Sequence, residues 1–511
     1  MSENLFIGTD IGGSAVKAIV FNETGDIVTS GHAAFRPSSP QYGWEEKDMN
    51  EVWNALKSIL KDISKNLKDR VKNIRAIGVT AAGFGAWFID KDGNPVRPAV
   101  AYQDIRAVDI VRKWEEDKTS ELFFNVTGSA LTSGMTVAYV KWFAENDPLV
   151  LKKASYVLDA QGWLHFKLTG IASTDESGAT ILAADLENFE YNDELLKALG
   201  LFEYKYLFPP VKTAFSPTGP ILSDLAKEIG FPETVLVVNA PTDMNTCMVG
   251  SGILDEGDVY SNGGTAHGNN FITKEKEIEK TVNSQIVPID FPDRKYVHAT
   301  FPYYGAVNQD WFIDEFLSEE KKNLKKDDIS VYEHIAKKVK DIPAGSNGII
   351  FHPFKDGFGD LLPYINKNES TFFLGLTPFH TKYDLLNAIY EGDALASRRI
   401  LEKVKVKPKN IILSGGLSAS EKWCQIYADM FGVPAKVSAG EEATPLGAVI
   451  HAAYAIGFFD SLRDAMNNMV KYSKIYTPNK KNHEFYNKLY RIYEKLYDNL
   501  EQSWNDLKKL A

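Results

Sequence analysis

One pattern constrains this chain more than any other: a short β-rich run enters a Gly-Gly turn and leaves as a second strand, twice. Leu5-Phe6-Ile7-Gly8-Thr9-Asp10 leads into Gly12-Gly13-Ser14 and out through Val16-Lys17-Ala18-Ile19-Val20-Phe21. The turn Asn22-Glu23-Thr24-Gly25-Asp26 then starts a third strand at Ile27. The later copy is Gly257-Asp258-Val259-Tyr260-Ser261-Asn262-Gly263-Gly264-Thr265, followed by Asn270-Phe271-Ile272. Strands joined by such turns pair as hairpins. The repeat relates halves of roughly 250 residues and points to a duplicated α/β unit with a cleft between the copies.

The rest of the chain fits that scheme. Residues 50–67 carry Val52, Leu56, Ile59, Leu60 and Ile63 at helical spacing, which predicts one buried face. Ile74-Arg75-Ala76-Ile77-Gly78-Val79 reads as a buried strand, and residues 108–201 as largely helical. A Pro-rich stretch at 208–220 precedes an apolar strand over 234–239 and a small-residue helix from Asp243 to Gly252. Residues 410–414 read as a strand, Gly415-Gly416 as a turn, and Ser420 to Phe431 as a helix. The last 40 residues read as a charged helix that packs through Tyr and Leu.

Composition narrows the function classes. Among 511 residues, 57 Lys and Arg stand against 68 Asp and Glu, a net charge of −11. Such a chain lacks the general attraction for phosphate backbones that nucleic-acid binding uses. No run of ~18 apolar residues spans a membrane, and Met1-Ser2-Glu3-Asn4-Leu5-Phe6 is not built as a signal peptide. The two cysteines, Cys247 and Cys424, are expected to be reduced thiols of a cytoplasmic protein.

Four places carry chemistry. Asp10 ends a strand before Gly12-Gly13-Ser14 and Lys17. Glycine lets backbone N–H groups approach a phosphate, an acid there can hold a hydrated Mg²⁺, and Lys17 can neutralise phosphate charge. The blander alternative is an ordinary hairpin. Gly263-Gly264-Thr265 repeats the device without the acid. Asp243 follows an apolar strand and Pro241, so it reads either as a helix N-cap or as a general base for an attacking hydroxyl. Ser414-Gly415-Gly416-Leu417-Ser418-Ala419-Ser420 offers bare backbone to a base or ribose. No Walker-type Gly-x-x-x-x-Gly-Lys motif is present, no Rossmann-type glycine fingerprint follows a strand, and no His or Cys cluster marks zinc.

In this order and at these distances, the motifs resemble the FGGY carbohydrate kinases, whose fold is that of actin, hexokinase and the heat-shock-chaperone ATPases. Supporting stretches are Tyr42-Gly43-Trp44-Glu45-Glu46-Lys47-Asp48, Tyr102-Gln103-Asp104-Ile105-Arg106-Ala107, and Asp159 to Gly170 followed by Thr174-Asp175-Glu176-Ser177. Gly432-Val433-Pro434 and Gly447-Ala448 belong to the same set. The resemblance implies an α/β fold of two actin-like ATPase (ribonuclease H-like) domains, residues 1–246 and 247–511, around a nucleotide and sugar cleft. It implies a kinase moving the ATP γ-phosphate to a ketose or polyol. Asp243 would be the base and a second metal group, and Asp10 would orient Mg²⁺ through water. Gly12, Gly13, Ser14 and Lys17 would form the first phosphate loop, and Gly264 and Thr265 the second. Gly415, Gly416 and Ser420 would flank the adenosine. Asp104 would bind sugar hydroxyls, with Phe84 and Tyr102 as apolar walls and Met244 beside the base. Family members often form homodimers.

The departures bear on the substrate. Pentulose-type members commonly carry Met-His after the strand that here ends at Val79; this chain has Thr80-Ala81-Ala82-Gly83-Phe84-Gly85. The glycerol-type Arg-Glu pair is absent there, and Tyr102 replaces a tryptophan. A pentulose such as xylulose is the expected acceptor, with L-xylulose or 3-keto-gulonate, ribulose, erythritol or another polyol as alternatives. The other classes are an actin-like or chaperone-like ATP-binding module and a catalytically silent sugar sensor. A pure ATPase module does not need Asp104 and Asp243, and a silent sensor does not need Asp10 and Asp243 together.

Overall fold

The computed structural model describes residues 3–264, 266–274, 285–290, 295–299, 303–353, 369–440 and 442–510. The chain divides into two compact units. The first comprises Met1–Leu254, Gln285–Val297 and Gly440–Lys471, and the second Asp255–Ser284, His298–Ala439 and Tyr472–Ala511.

The first unit is built on β1 (Leu5–Ile11), β2 (Ala15–Asn22), β3 (Ile27–Ala34), β4 (Ile74–Ala81), β5 (Gly219–Pro220) and β6 (Leu236–Asn239), in the order β3-β2-β1-β4-β6-β5. β1 and β2 form the expected hairpin, with Asp10 opposite Lys17. β1 pairs β4, and β4 pairs β6, in parallel. Alternation along β1 sends Leu5 and Ile7 into the core under helix Met49–Leu67, where Val52, Leu56, Ile59, Leu60 and Ile63 are buried. That helix starts where the Asp48 side chain accepts from Asn50 and Glu51 N–H groups, a cap that typically contributes ~1 kcal/mol.

The opposite face of β1 meets the segment after residue 440. Phe6 packs edge-on against Phe458 at 5.2 Å. A Cβ on Gly8 would lie 2.0 Å from Pro445 O, and one on Gly78 would lie 2.2 Å from Ala448 O. The helix Ala443–Ala455 thus rests directly on bare strand backbone. This contact explains why the first unit is discontinuous, whereas the sequence leads one to expect a single cut after residue 246. A second apolar cluster, including Trp114, Phe123, Tyr139 and Phe143, lies among the helices of residues 108–201.

In the second unit β7 (Asp258–Gly263), β8 (Ala266–Thr273), β9 (Asn410–Gly415), β10 (Ala435–Ser438) and β11 (Tyr472–Tyr476) run in the order β8-β7-β9-β10-β11. The pairings are antiparallel, parallel, parallel, antiparallel. The path β2-β1-β4-β6-β5 has the same succession, so the duplication legible in two Gly-Gly turns extends through both sheets. The C-terminal helix Lys480–Leu510 packs on the second unit. Tyr486 donates to Glu391 at 2.8 Å, and Tyr493 OH lies 2.7 Å from His352 Nδ1. Both cysteines are free thiols. Among the described residues no helix is long and apolar enough to cross a membrane.

Candidate active site

β6 ends at Asn239, and the linker Ala240-Pro241-Thr242 delivers the chain to helix Asp243–Gly250. Thr242, not Asp243, occupies the N-cap; Asp243 is the first helical residue. Its Oδ1 accepts from the Met244 N–H at 2.7 Å, and the helix start favours its charge. Burial outweighs both and pushes the Asp243 carboxyl up from the usual range. The helix is fixed in place by a second glycine-mediated approach. Cβ atoms on Gly447 and Gly250 would lie 1.7 Å from Thr246 O and 1.9 Å from Ala443 O.

Asp10, at the end of β1, is pushed up to about 7, first by burial and then by the charge of Asp243, with Lys17 opposing. The charges of the two carboxylates therefore act on one another. Lys17 Nζ lies 3.1 and 3.2 Å from the two Glu442 oxygens. Glu442 went unmarked in the sequence because nothing local distinguishes it; helix Ala443–Ala455 carries it to Lys17. In the Gly-Gly turn, Gly12 N–H bonds Ala15 O at 2.9 Å, and Gly12 and Ser14 are exposed. A Cβ on Gly13 would come within 3.3 Å of Gln103 Nε2. Lys47 Nζ reaches Gly12 O at 3.4 Å. Gln103 and Lys47 thus join the candidate set.

The segment 102–106 splits into two roles. Tyr102 is half-exposed, and its phenol is pushed up by burial and by the charges of Asp243 and Glu45. Asp104 does not face the same space. Its carboxylate is fully buried, accepting from Glu45 N–H at 2.7 Å and Arg106 N–H at 2.8 Å, and pairing with the Arg106 guanidinium at 2.7 Å. Arg106 in turn reaches Glu46 at 2.8 Å and lies 3.8 Å over Trp44. Both Asp104 oxygens are filled, so the sugar-hydroxyl role expected of it is not available; it holds the backbone of Glu45 instead. Phe84 is partly buried against the helical cluster. Its loop abuts the base, since a Cβ on Gly83 would meet Thr242 Cγ2 at 2.6 Å. Met244 is half-buried beside Asp243.

In the second unit Gly263 and Gly415 are register partners on β7 and β9. Gly415 has φ +70, and a Cβ there would meet Asn262 Oδ1 at 2.7 Å, so only glycine fits. Gly264 O accepts from Ala306 N–H at 2.8 Å, and a Cβ on Gly416 would lie 3.0 Å from Ala306 Cβ. Gly264, Gly415 and Gly416 therefore gather at the start of helix Ala306–Phe316. Ser420 caps helix Glu421–Phe431 through Trp423 N–H. Thr265 lies outside the described residues.

Among the described residues no group of three or more His, Cys, Asp or Glu converges as a metal centre would. A hydrated Mg²⁺ shared with phosphates needs only one or two carboxylates. A buried carboxylate pair with a raised pKa is a donor set that gains from such a cation.

Known proteins give first the class. The chain is similar to the xylulose kinase of Rhodospirillum rubrum, a solved structure matched with a TM-score of 0.85 at 23% identity over 98% of this chain and 100% of that one. Its sequence is 24% identical to the xylulose kinase of Staphylococcus epidermidis over 511 residues, 99% of each chain. It is 26% identical to the L-xylulose/3-keto-L-gulonate kinase of Escherichia coli over 501 residues, 96% of each. These likenesses and the duplicated sheet define a sugar kinase. The N-terminal domain of the FGGY family of carbohydrate kinases matches residues 5–250, and its C-terminal domain matches 259–456. The chain belongs to the FGGY family of carbohydrate kinases.

Proposed function

We propose that this sugar kinase transfers the γ-phosphoryl group of Mg·ATP to a primary hydroxyl of a ketopentose such as xylulose, with Asp243 as general base. The observation that carries the reading is the half-buried Asp243 carboxylate at the head of its helix, whose charge acts on both Asp10 and Tyr102. An alcohol is a poor nucleophile at neutral pH, and a carboxylate must accept its proton as the phosphoryl group moves. A base raised by burial accepts that proton more readily than an exposed aspartate. Tyr102 and Phe84 wall the sugar side, with Met244 next to the base.

Lys17 and the N–H groups of the Gly12-Gly13-Ser14 turn spread phosphate charge. Gly264 and Thr265 are assigned to the same task in the second unit, and Gly415, Gly416 and Ser420 to the adenosine. Asp10 and Asp243 are the residues that would hold Mg²⁺, which when bound neutralises charge on the phosphates. The xylulose and L-xylulose/3-keto-L-gulonate kinases among the relatives support a ketose acceptor.

The test is coupled ADP release from Mg·ATP against ketoses, aldoses, polyols and sugar acids. A ketopentose is expected to give the highest kcat/KM, and Asp243→Asn to lower kcat by ~10²–10⁴ while ATP still binds. A polyol or sugar acid preferred over every ketose would replace the acceptor. An Asp243→Asn variant keeping more than about a tenth of kcat would remove the base.

A further inference from the structure

In the three linker residues ahead of Asp243, Ala240 N–H bonds Val79 O and Thr242 O accepts from Thr246 N–H, and each residue is also gripped by a different buried side chain. Gln161 Nε2 donates to Ala240 O. Thr80 Oγ1 donates to Pro241 O at 2.7 Å. Ser177 Oγ accepts from the Thr242 N–H at 3.0 Å. Two of these three converge on one carboxylate. Ser177 Oγ donates to Asp175 Oδ2, and Gln161 Nε2 lies 3.3 Å from Asp175 Oδ1. Gln161 also ties the linker to its neighbours, with Nε2 3.1 Å from Asn239 Oδ1 and Oε1 3.3 Å from Ala81 N.

Asp175 is an expensive way to make these contacts. It is 1% exposed. Burial pushes its carboxyl up to about 7, and the charges nearest it, Glu176 and Asp159, are like charges. It caps a helix of six residues, Glu176–Ile181, through Ser177 and Gly178 N–H groups. A neutral Ser, Thr or Asn caps as well without burying charge. What a carboxylate adds is two acceptor oxygens that fix the direction of neighbouring donors. With its own proton committed to Asp175, the Ser177 hydroxyl turns a lone pair to Thr242, the residue immediately before Asp243.

We infer that Asp175 and Ser177, with Gln161, are positioning residues for phosphoryl transfer: they hold the 240–242 linker so that Asp243 meets the acceptor hydroxyl. The inference rests on the reading of Asp243 as the base. All three side chains are buried, and they reach Asp243 through the linker.

The experiment uses the full-length enzyme with Mg·ATP and its best ketose acceptor. Ser177→Ala removes one buried oxygen, and Asp175→Asn keeps the side-chain shape. Three quantities are read for each: ATP-binding stoichiometry, kcat, and ADP released per sugar phosphate formed. Misplacement of the base without damage to the nucleotide site is expected to leave the stoichiometry at one and lower kcat about tenfold or more. It is also expected to raise the ADP yield clearly above one per sugar phosphate, because attack by water needs no alignment with Asp243. A merely structural role lowers stoichiometry and kcat together and keeps the yield at one, which overturns the inference. So does wild-type kcat in both variants. Asp243→Asn, run in parallel, separates the two readings. Its retention of activity sinks the base, whereas its loss beside unaffected Ser177 and Asp175 variants sinks only the positioning network.

Discussion

Replacing Gly447 by alanine should disable the enzyme from a residue that touches no substrate. Helix Ala443–Ala455 crosses helix Asp243–Gly250 with backbone against backbone. A Cβ on Gly447 would stand 1.7 Å from Thr246 O, where ordinary contact begins at 3.4 Å. The methyl therefore demands about 1.7 Å of extra separation. Neither helix yields freely, since the first is held on Gly8 and Gly78 and the second by the linker bonds to Thr80, Gln161 and Ser177. If the two share the movement, the helix bearing Asp243 shifts by roughly 0.8 Å. A displacement of ~1 Å in a reacting group costs ~10² in rate, so kcat should fall between ten- and a hundredfold. Overpacking should cost ~1–3 kcal/mol, measured by urea unfolding beside the steady-state assay. Gly457→Ala is the control. It has a positive φ, +73, which Gly447 lacks, and nothing lies within 4 Å of its Cβ, so it carries backbone strain without displacing anything. A folded Gly447→Ala enzyme with wild-type kcat would refute the reasoning, because the base would then not ride on that helix.

Two further outcomes follow from buried charge. Arg106→Ala leaves Asp104 without its buried guanidinium partner and Glu46 with Arg97 alone and should cost ~3–5 kcal/mol in urea unfolding; a loss under ~1 kcal/mol would show that water replaces the guanidinium. His451 is fully buried beside Phe215, with no hydrogen-bond partner for either ring nitrogen among the described residues, and burial pushes it down to about 3. Its folded pKa lies below its unfolded value of 6.5, so its contribution is complete above pH 6.5 and is lost as pH falls toward 3. His451→Leu should therefore gain on the wild type by about 1 kcal/mol between pH 6.5 and 5.5. The comparison must be differential, because Asp10, Asp159 and Asp175 are raised and shift stability the opposite way. An unchanged difference between the two pH values would mean that His451 meets solvent.

What was legible in the sequence is what short-range chemistry dictates. The two Gly-Gly hairpins, the buried face of helix Met49–Leu67 and the strand leading to Asp243 each depend on a few adjacent residues, and each is present. The site splits along the same line. Asp10, Lys17 and Asp243 announce themselves by turn and strand-end position, and the structure brings them together. Asp104 lies in an equally recognisable segment, but Arg106 two residues on claims its carboxylate. Residue type alone does not tell a buried ion pair from a sugar ligand. Glu442 carries no local mark at all, and Gln161 is marked only as part of the 159–170 stretch, with no role attached. They reach the site because a helix from the far end of the chain docks on β1 and because helix Ala160–Thr169 turns an amide inward. The same docking defeats a single domain boundary, since it is written in glycines at 8, 78, 250 and 447 that mean nothing until the backbones meet.

Charge balance in the first unit ties these pieces to the chemistry. Asp10, Asp243 and Glu442 act on one another around Lys17, with Glu45 and Lys47 next to them. Acidic groups outnumber amines in this set, and the raised carboxyls of Asp10 and Asp243 reflect that crowding as well as desolvation. Lys17 already serves Glu442, so on the proposed function a polyphosphate at the Gly12-Gly13-Ser14 turn would draw the rest of its charge compensation from the turn's N–H groups and from a divalent cation, which would also relieve the mutual repulsion of Asp10 and Asp243. On the proposed function, these residues would favour a nucleotide that arrives with its cation over a free one, and a proton on Asp10 would weaken that preference.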